Sequence, residues 1–224
     1  MNIPRNWFVA AVIGSLLLTG CTSKVTEKEQ FSGFLPRYGD LKEEKSPSGE
    51  PVLRWMAPGF APDKYDTVVF SRLEMYPAPK PDERVNMQTL QELQTYTSES
   101  AKSTLSSQYK VVSSMQSVPP GSRALILRAA ITGVSASNEG MKWYEVVPIA
   151  AVVGATQAVT GHRDQDTELF VEAQFIDAAS GEPQVKVVRK LFGKTLKNES
   201  QEITAEDFKS AIGLMMSDMR ALMR

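Results

Sequence analysis

Residues 168–192 constrain the fold more than any other segment, because two alternating runs there agree about where their apolar sides lie. Residues 168–176 put Leu169, Val171, Ala173 and Phe175 on one side, and residues 184–192 answer with Val185, Val187 and Leu191. Between them Asp177-Ala178-Ala179-Ser180-Gly181-Glu182 is turn chemistry. With the register centred on Ser180 the two apolar sets share a face, while Glu172 and Gln174 share the other with Lys186 and Lys190. That second face is expected to be wet. Arg189 alone falls on the apolar side.

Other elements gather around this hairpin. Residues 123–134 alternate Leu125, Leu127, Ala129 and Ile131 as a long strand, and residues 67–75 and 109–114 read as shorter ones. A Pro-rich breaker, residues 77–81, follows the first of these. Leu90, Leu93, Thr97, Ala101 and Leu105 recur at spacings of three and four, which predicts a helix over about residues 85–108. Thr204 and Asp207 form a variant capping box ahead of a last helix. Its expected buried stripe is Phe208, Ile212, Met215, Met219 and Leu222, which leaves Met216 and Met223 as surface candidates. Strands joined mostly by hairpins, with few and separate helices, predict an α+β fold: a two-layer sandwich with a largely antiparallel sheet and helices on one face.

Ahead of this body, residues 31–65 are rich in Pro and Gly yet carry Phe31, Phe34, Tyr38, Trp55, Phe60 and Tyr65. A disordered linker is poor in such residues. The segment is expected to be an irregular, extended arm pinned by its aromatic side chains, with residues 42–51 as a mobile loop. Residues 21–30 read as a polar tether; the nine residues after position 21 extend at most about 30 Å. The expected organisation is therefore a leader (1–20), a tether (21–30), an arm (31–65) and an α+β domain (66–224).

The leader carries Arg5, an apolar run over residues 7–18 and then Leu18-Thr19-Gly20-Cys21. This resembles the signal peptide and lipobox of bacterial lipoproteins. The resemblance implies cleavage before Cys21, a diacylglyceryl group on its thiol and an acyl group on the new amino terminus. No cofactor is expected beyond this covalent lipid. Twelve apolar residues fall short of the ~20 that span a bilayer. Cys21 is the only cysteine, so no disulfide remains to hold the fold. Thr22 stands where an aspartate would, by the same analogy, favour the inner membrane, which points to the periplasmic face of the outer membrane. Beyond the leader, 24 Lys+Arg face 26 Asp+Glu with no basic block, so a nucleic-acid partner is not expected.

Candidate chemistry is sparse. His162 is the sole histidine, flanked by Gly161, Arg163 and Asp164, and reads as an exposed loop residue. Asp164, Asp166 and Glu168 alternate and would share one side of an extended segment, but they lack the glycine and distant glutamate of a calcium loop and read as a solvated strand entry. No metal site is expected. Ser107-Gln108-Tyr109-Lys110 matches a Ser-x-x-Lys string without the companion motifs that mechanism needs. Gly133-Val134-Ser135-Ala136-Ser137 lacks the second glycine of a nucleophile elbow. Residues 146–159 carry no charge after Glu145, and Ala150, Gly154 and Ala158 lie four apart as a small-residue row on an inserted helix. That row is either packing inside the domain or a contact surface for a partner.

Phe31-Ser32-Gly33-Phe34-Leu35 with Tyr38 and Leu41, the strand around residues 125–132, the apolar stretch after Val147-Pro148, and residues 175–182 together cover nearly the whole chain after the leader. In order and spacing they resemble the family of uncharacterised envelope lipoproteins that share domain of unknown function 3313. The resemblance implies a lipoprotein of the cell envelope with no assigned activity. The expected role is a non-enzymatic accessory, lipid-anchored to the membrane, that binds a protein or glycan partner. Two alternatives stand beside it: a small hydrolase using Ser107 or Ser135, and an apolar-ligand or lipid-binding protein with a cavity beside residues 146–159.

Overall fold

The computed structural model describes residues 24–82, 84–138, 165–198 and 200–224. Eight strands form one mixed sheet: β1 (Lys42–Lys45), β2 (Pro51–Met56), β3 (Thr67–Val69), β4 (Glu74–Met75), β5 (Lys110–Val112), β6 (Ala124–Asn138), β7 (Gln165–Asp177) and β8 (Pro183–Phe192). The helices are α1 (Met87–Leu105) and α2 (Lys209–Leu222). The strand order is β1-β2-β8-β7-β6-β3-β5, with β4 also on β6. Pairing is antiparallel from β1 through to β6, whereas β3 runs parallel to both β5 and β6. The fold is α+β, with a mostly antiparallel sheet.

The β7–β8 register is the one the alternation predicts: Leu169 opposes Leu191, Ala173 opposes Val187 and Phe175 opposes Val185. These residues join Leu125, Leu127, Ala129 and Ile131 of β6 and the apolar sides of both helices in one core. Of α1, Leu90, Leu93, Thr97, Ala101 and Leu105 are all buried. The helix starts where Asn86 Oδ1 accepts from the Thr89 amide at 2.8 Å, a side-chain cap for an otherwise orphan donor.

The expected single strand over residues 67–75 is broken in two. β3 pairs Val69 with Ile126, but β4 resumes with Glu74 on Ala130, one residue out of step. The interruption leaves backbone groups that need partners. Two α1 side chains supply them: Ser98 Oγ accepts from the Leu73 amide at 3.0 Å, and Gln94 Nε2 donates to the Leu73 carbonyl at 2.8 Å.

Two expectations are corrected at the opposite face of the sheet. The segment read as an irregular arm with a mobile loop instead supplies β1 and β2, which extend the sheet beyond β8. The face read as wet is buried: Glu168, Glu172, Gln174, Lys186 and Lys190 are each less than a tenth exposed. Residues 31–41 lie over it, with Phe34 and Leu35 packed on Ala130 and Val188. Buried charges need partners, and the arm provides those of Glu172 and Lys186, while Glu168 and Lys190 pair with each other. Glu172 accepts from the Ser32 amide at 3.0 Å and the Tyr38 hydroxyl at 2.6 Å. Lys186 Nζ donates to the Asp40 carboxylate and lies 4.8 Å from the Trp55 ring. Tyr38 also accepts from the Gly33 and Leu35 amides and stacks on Phe31. Burial, reinforced by the Glu172 carboxylate, pushes its phenol up to about 12.

In the C-terminal helix the expected capping box is present, Asp207 Oδ2 accepting from the Thr204 amide at 2.8 Å. It opens a 3-10 turn, Ala205–Phe208, ahead of α2. Beyond Ile212 the buried stripe steps by four, to Met216, where the expectation stepped by three, to Met215. Met216 and Met223, the surface candidates, are 9% and 3% exposed, and Met215, Met219 and Leu222 are only partly buried.

Candidate functional site

Cys21, the row Ala150, Gly154 and Ala158, His162 and Asp164 lie outside the described residues. The two serines considered as nucleophiles are placed, and far apart in role. Ser107 Oγ donates to the Thr104 carbonyl at 2.7 Å, a local bond just past the end of α1. Ser135 Oγ donates to Glu168 Oε2 at 3.2 Å, and the other oxygen of that carboxylate is 2.7 Å from Lys190 Nζ. Glu168 is 1% exposed, so the expected solvated strand entry is instead a buried ion pair at this position. Asp166, two residues earlier, accepts from Thr195 Oγ1 at 3.3 Å. Among the described residues no group of three or more His, Cys, Asp and Glu side chains could hold a metal ion.

Among the described residues, a cavity of about 90 Å³ lies between the sheet and the two helices. Its floor follows from strand register. Ala129 pairs with Ala173, Ala173 with Val187, and Val187 with Arg54, one transverse row across β6, β7, β8 and β2. The neighbouring rows carry larger side chains, Leu127 with Phe175 on one side and Ile131, Val171 and Arg189 on the other. Small residues in the middle of the row leave the space. Met215, Met216, Met219 and Leu222 of α2 roof it, and Thr97 and Ala101 of α1 close one side. Protein interiors are otherwise close-packed; at about 24 cal/mol per Å³, an empty void of this size costs about 2 kcal/mol.

Two arginines line this wall: Arg54, paired with Glu44 of β1, and Arg189. Arg189, the apolar-side exception in the sequence, places Nη1 2.8 Å from Asp218 Oδ2 of α2, and both side chains are less than a tenth exposed. Asp218 also accepts from the Ser48 amide at 2.7 Å and from Ser48 Oγ at 2.9 Å. The β1–β2 turn is thereby latched to α2 at the rim, where Ser46 and Pro47 line the cavity. Burial pushes the Asp218 carboxyl up, but the hydrogen bonds from Arg189, Ser46 and Ser48 outweigh it and hold the group below its ordinary value. Asp218 is thus a fixed anion already matched by a cation, which suits it to holding parts together and not to exchanging protons. Thr97 and Arg189 are also in the lining, and Thr97 Oγ1 and Arg189 Nε are buried with no hydrogen-bond partner among the described residues.

Sequence reasoning flagged Arg189 and missed its partner. Asp218 follows Met215 by three, inside the stripe assigned to the core, and a charged residue there was the available signal. Thr97 was placed in the core stripe as packing, with no sign of the unpaired hydroxyl.

Among the described residues no helix is long and apolar enough to cross a membrane. Residues 30–219 match the family described as "Protein of unknown function (DUF3313)". The chain is 45% identical over 210 residues to the uncharacterized lipoprotein YdcL of Escherichia coli K12, covering 94% of this chain and 92% of that one, and the protein of the same name from Escherichia coli O157:H7 matches equally. Among solved structures, the PelC dodecamer from Paraburkholderia phytofirmans is similar at 12% identity and a TM-score of 0.39, covering 75% of this chain and 96% of that one. The extent of the family match and the identity to YdcL settle the affiliation: this chain is a lipoprotein belonging to the DUF3313 family.

Proposed function

We propose that the protein is anchored in the outer membrane through lipid on Cys21, faces the periplasm, and serves there as a non-enzymatic accessory that binds a protein or glycan component of the envelope. The observation that carries the binding reading is the fate of Ser135. Its hydroxyl donates to Glu168, and that carboxylate is itself engaged by Lys190 in a buried pair. A nucleophilic serine needs a base free to take its proton, and a carboxylate already held by an ammonium is poorly suited to that task. Ser107, bonded to a backbone carbonyl, is no better placed.

Support for the location comes from Leu18-Thr19-Gly20-Cys21 and from the lipoprotein relative. The arm begins ten residues after Cys21 and is fastened to the sheet at Ser32, which would keep the body close to the bilayer. Two acyl signals or more make anchoring stable. Ala150, Gly154 and Ala158 remain a candidate contact row for the partner.

The test has two arms. A reactive-serine probe applied to envelopes should leave the protein unlabelled, and saturable labelling at Ser107 or Ser135 would replace the accessory reading with the hydrolase one. Membrane fractionation should find the wild type in the outer membrane, Cys21→Ser without lipid, and Thr22→Asp shifted inward. Labelled fatty acid on the Cys21→Ser protein would remove the anchoring argument.

A further inference from the structure

We propose that the cavity beneath α2 binds a short acyl group: a hydrocarbon chain of a few carbons bearing one oxygen acceptor. The inference goes beyond the accessory reading and adds a small ligand to the macromolecular partner; neither needs the other. The buried charges of the opposite face offer no such site, because Glu168, Glu172 and Lys186 are all engaged, by Lys190 and by the arm. Beneath α2 the situation is reversed, with space and unspent donors together.

Three observations define the ligand. The walls are mainly carbon, from the Ala129-Ala173-Val187 floor to the methionine roof, and unbranched, polarizable Met side chains adapt to a chain of variable shape. The volume of about 90 Å³ is several times the ~10–15 Å³ that one water requires, yet below the ~150 Å³ of a cavity that admits benzene. A few methylenes fit that interval better than a ring. Thr97, fully buried, and Arg189, 4% exposed, each retain a polar group without a partner among the described residues. Arg189 Nε–H can only donate, and the Thr97 hydroxyl can donate as well as accept, so an acceptor oxygen, such as an acyl carbonyl or carboxylate, suits either group. With Asp218 already balancing Arg189, the site does not demand a full negative charge. Ser46 and Pro47, beside the Ser48–Asp218 latch, also line the cavity.

The test uses the anchored full-length protein in envelope membranes, photolabelled with a diazirine-bearing pentanoic acid and mapped by mass spectrometry. Label should fall on residues 165–177 and 209–222, saturate, and be displaced by plain pentanoate. Ala173→Leu fills the floor of the cavity and should weaken labelling by about tenfold. Thr97→Val, close in shape but without the hydroxyl, should weaken pentanoate competition about three- to tenfold while protease resistance stays that of the wild type. Absence of label from both segments overturns the proposal, as does label that neither variant alters. Thr97→Val keeps the test decisive should Ala173→Leu not fold. A negative result here leaves the serine-probe and fractionation arms of the accessory reading unaffected.

Discussion

The two faces of the sheet are built on opposite principles from the same strands. Toward the helices, β6, β7 and β8 present Leu, Ile, Val, Phe and Ala, and a single ion pair, Arg189–Asp218, crosses to α2. Toward the arm, β7 and β8 present Glu168, Glu172, Gln174, Lys186 and Lys190, all buried; the covering segment supplies partners for Glu172 and Lys186, while Glu168 and Lys190 pair with each other. Apolar area holds the first face, and it is tolerant of position, which is how it can accommodate a cavity. Directional hydrogen bonds to charged groups hold the second, so the arm has one seating. With Cys21 the only cysteine, no disulfide shares either task.

The sharpest way to break this contrast is to remove Asp218. Asp218→Ala leaves Arg189 buried without a counter-charge and releases the β1–β2 turn, and should cost about 3–5 kcal/mol in chemical denaturation. Replacing the pair together, Arg189→Met with Asp218→Leu, should recover most of that loss, since a well-packed apolar pair suits this face. A cost below about 1 kcal/mol for the single change would mean that water reaches the pair.

On the arm face the expected losses are smaller and local. Tyr38→Phe removes the hydroxyl that donates to Glu172 and accepts from two arm amides; a hydrogen bond to a charged group contributes about 1.5–3 kcal/mol. Limited proteolysis should then cut within residues 31–41 while α2 stays protected. Simultaneous loosening of both faces would show that they are one cooperative unit.

The smallest effect is titration. Hydrogen bonds from the Ser180 amide and from the Tyr65 hydroxyl draw the Asp177 carboxyl down to about 2, and the Asp218 carboxyl is also lowered. A carboxyl depressed in the folded state contributes stability above its unfolded value near 4, and that contribution is lost as pH falls through the folded value. The melting temperature should therefore drop between about pH 4 and pH 2, and Asp177→Asn should flatten part of that slope.

How far the sequence carried the fold depends on what alternation can report. The β7–β8 pairing was legible because Leu169, Ala173 and Phe175 meet Leu191, Val187 and Val185 in one register, with Arg189 the exception on that side. Alternation could not distinguish water from a polar covering segment, because Glu172 and Lys186 look the same beside either. β1 was illegible for a related reason: Lys42-Glu43-Glu44-Lys45 has no apolar side, and its place comes from pairing with β2 at the sheet edge, where charge protects an exposed strand. Met216 was misassigned because Met215 and Met216 lie three and four residues after the buried Ile212, and a helical period admits either. The cavity was invisible since Ala129, Ala173, Val187 and Arg54 become neighbours only once four strands are in register.

Native-state hydrogen exchange on the full-length protein tests most directly whether the arm is an integral cover for the second face. The Ser32, Gly33, Leu35 and Leu41 amides all have acceptors in the structure, at Glu172, Tyr38 and the Tyr38 carbonyl. They should exchange slowly in the wild type, and Glu172→Ala should release the arm amides while those of α1 and α2 keep their protection. Arm amides that exchange in the wild type as fast as an unstructured segment would contradict the account.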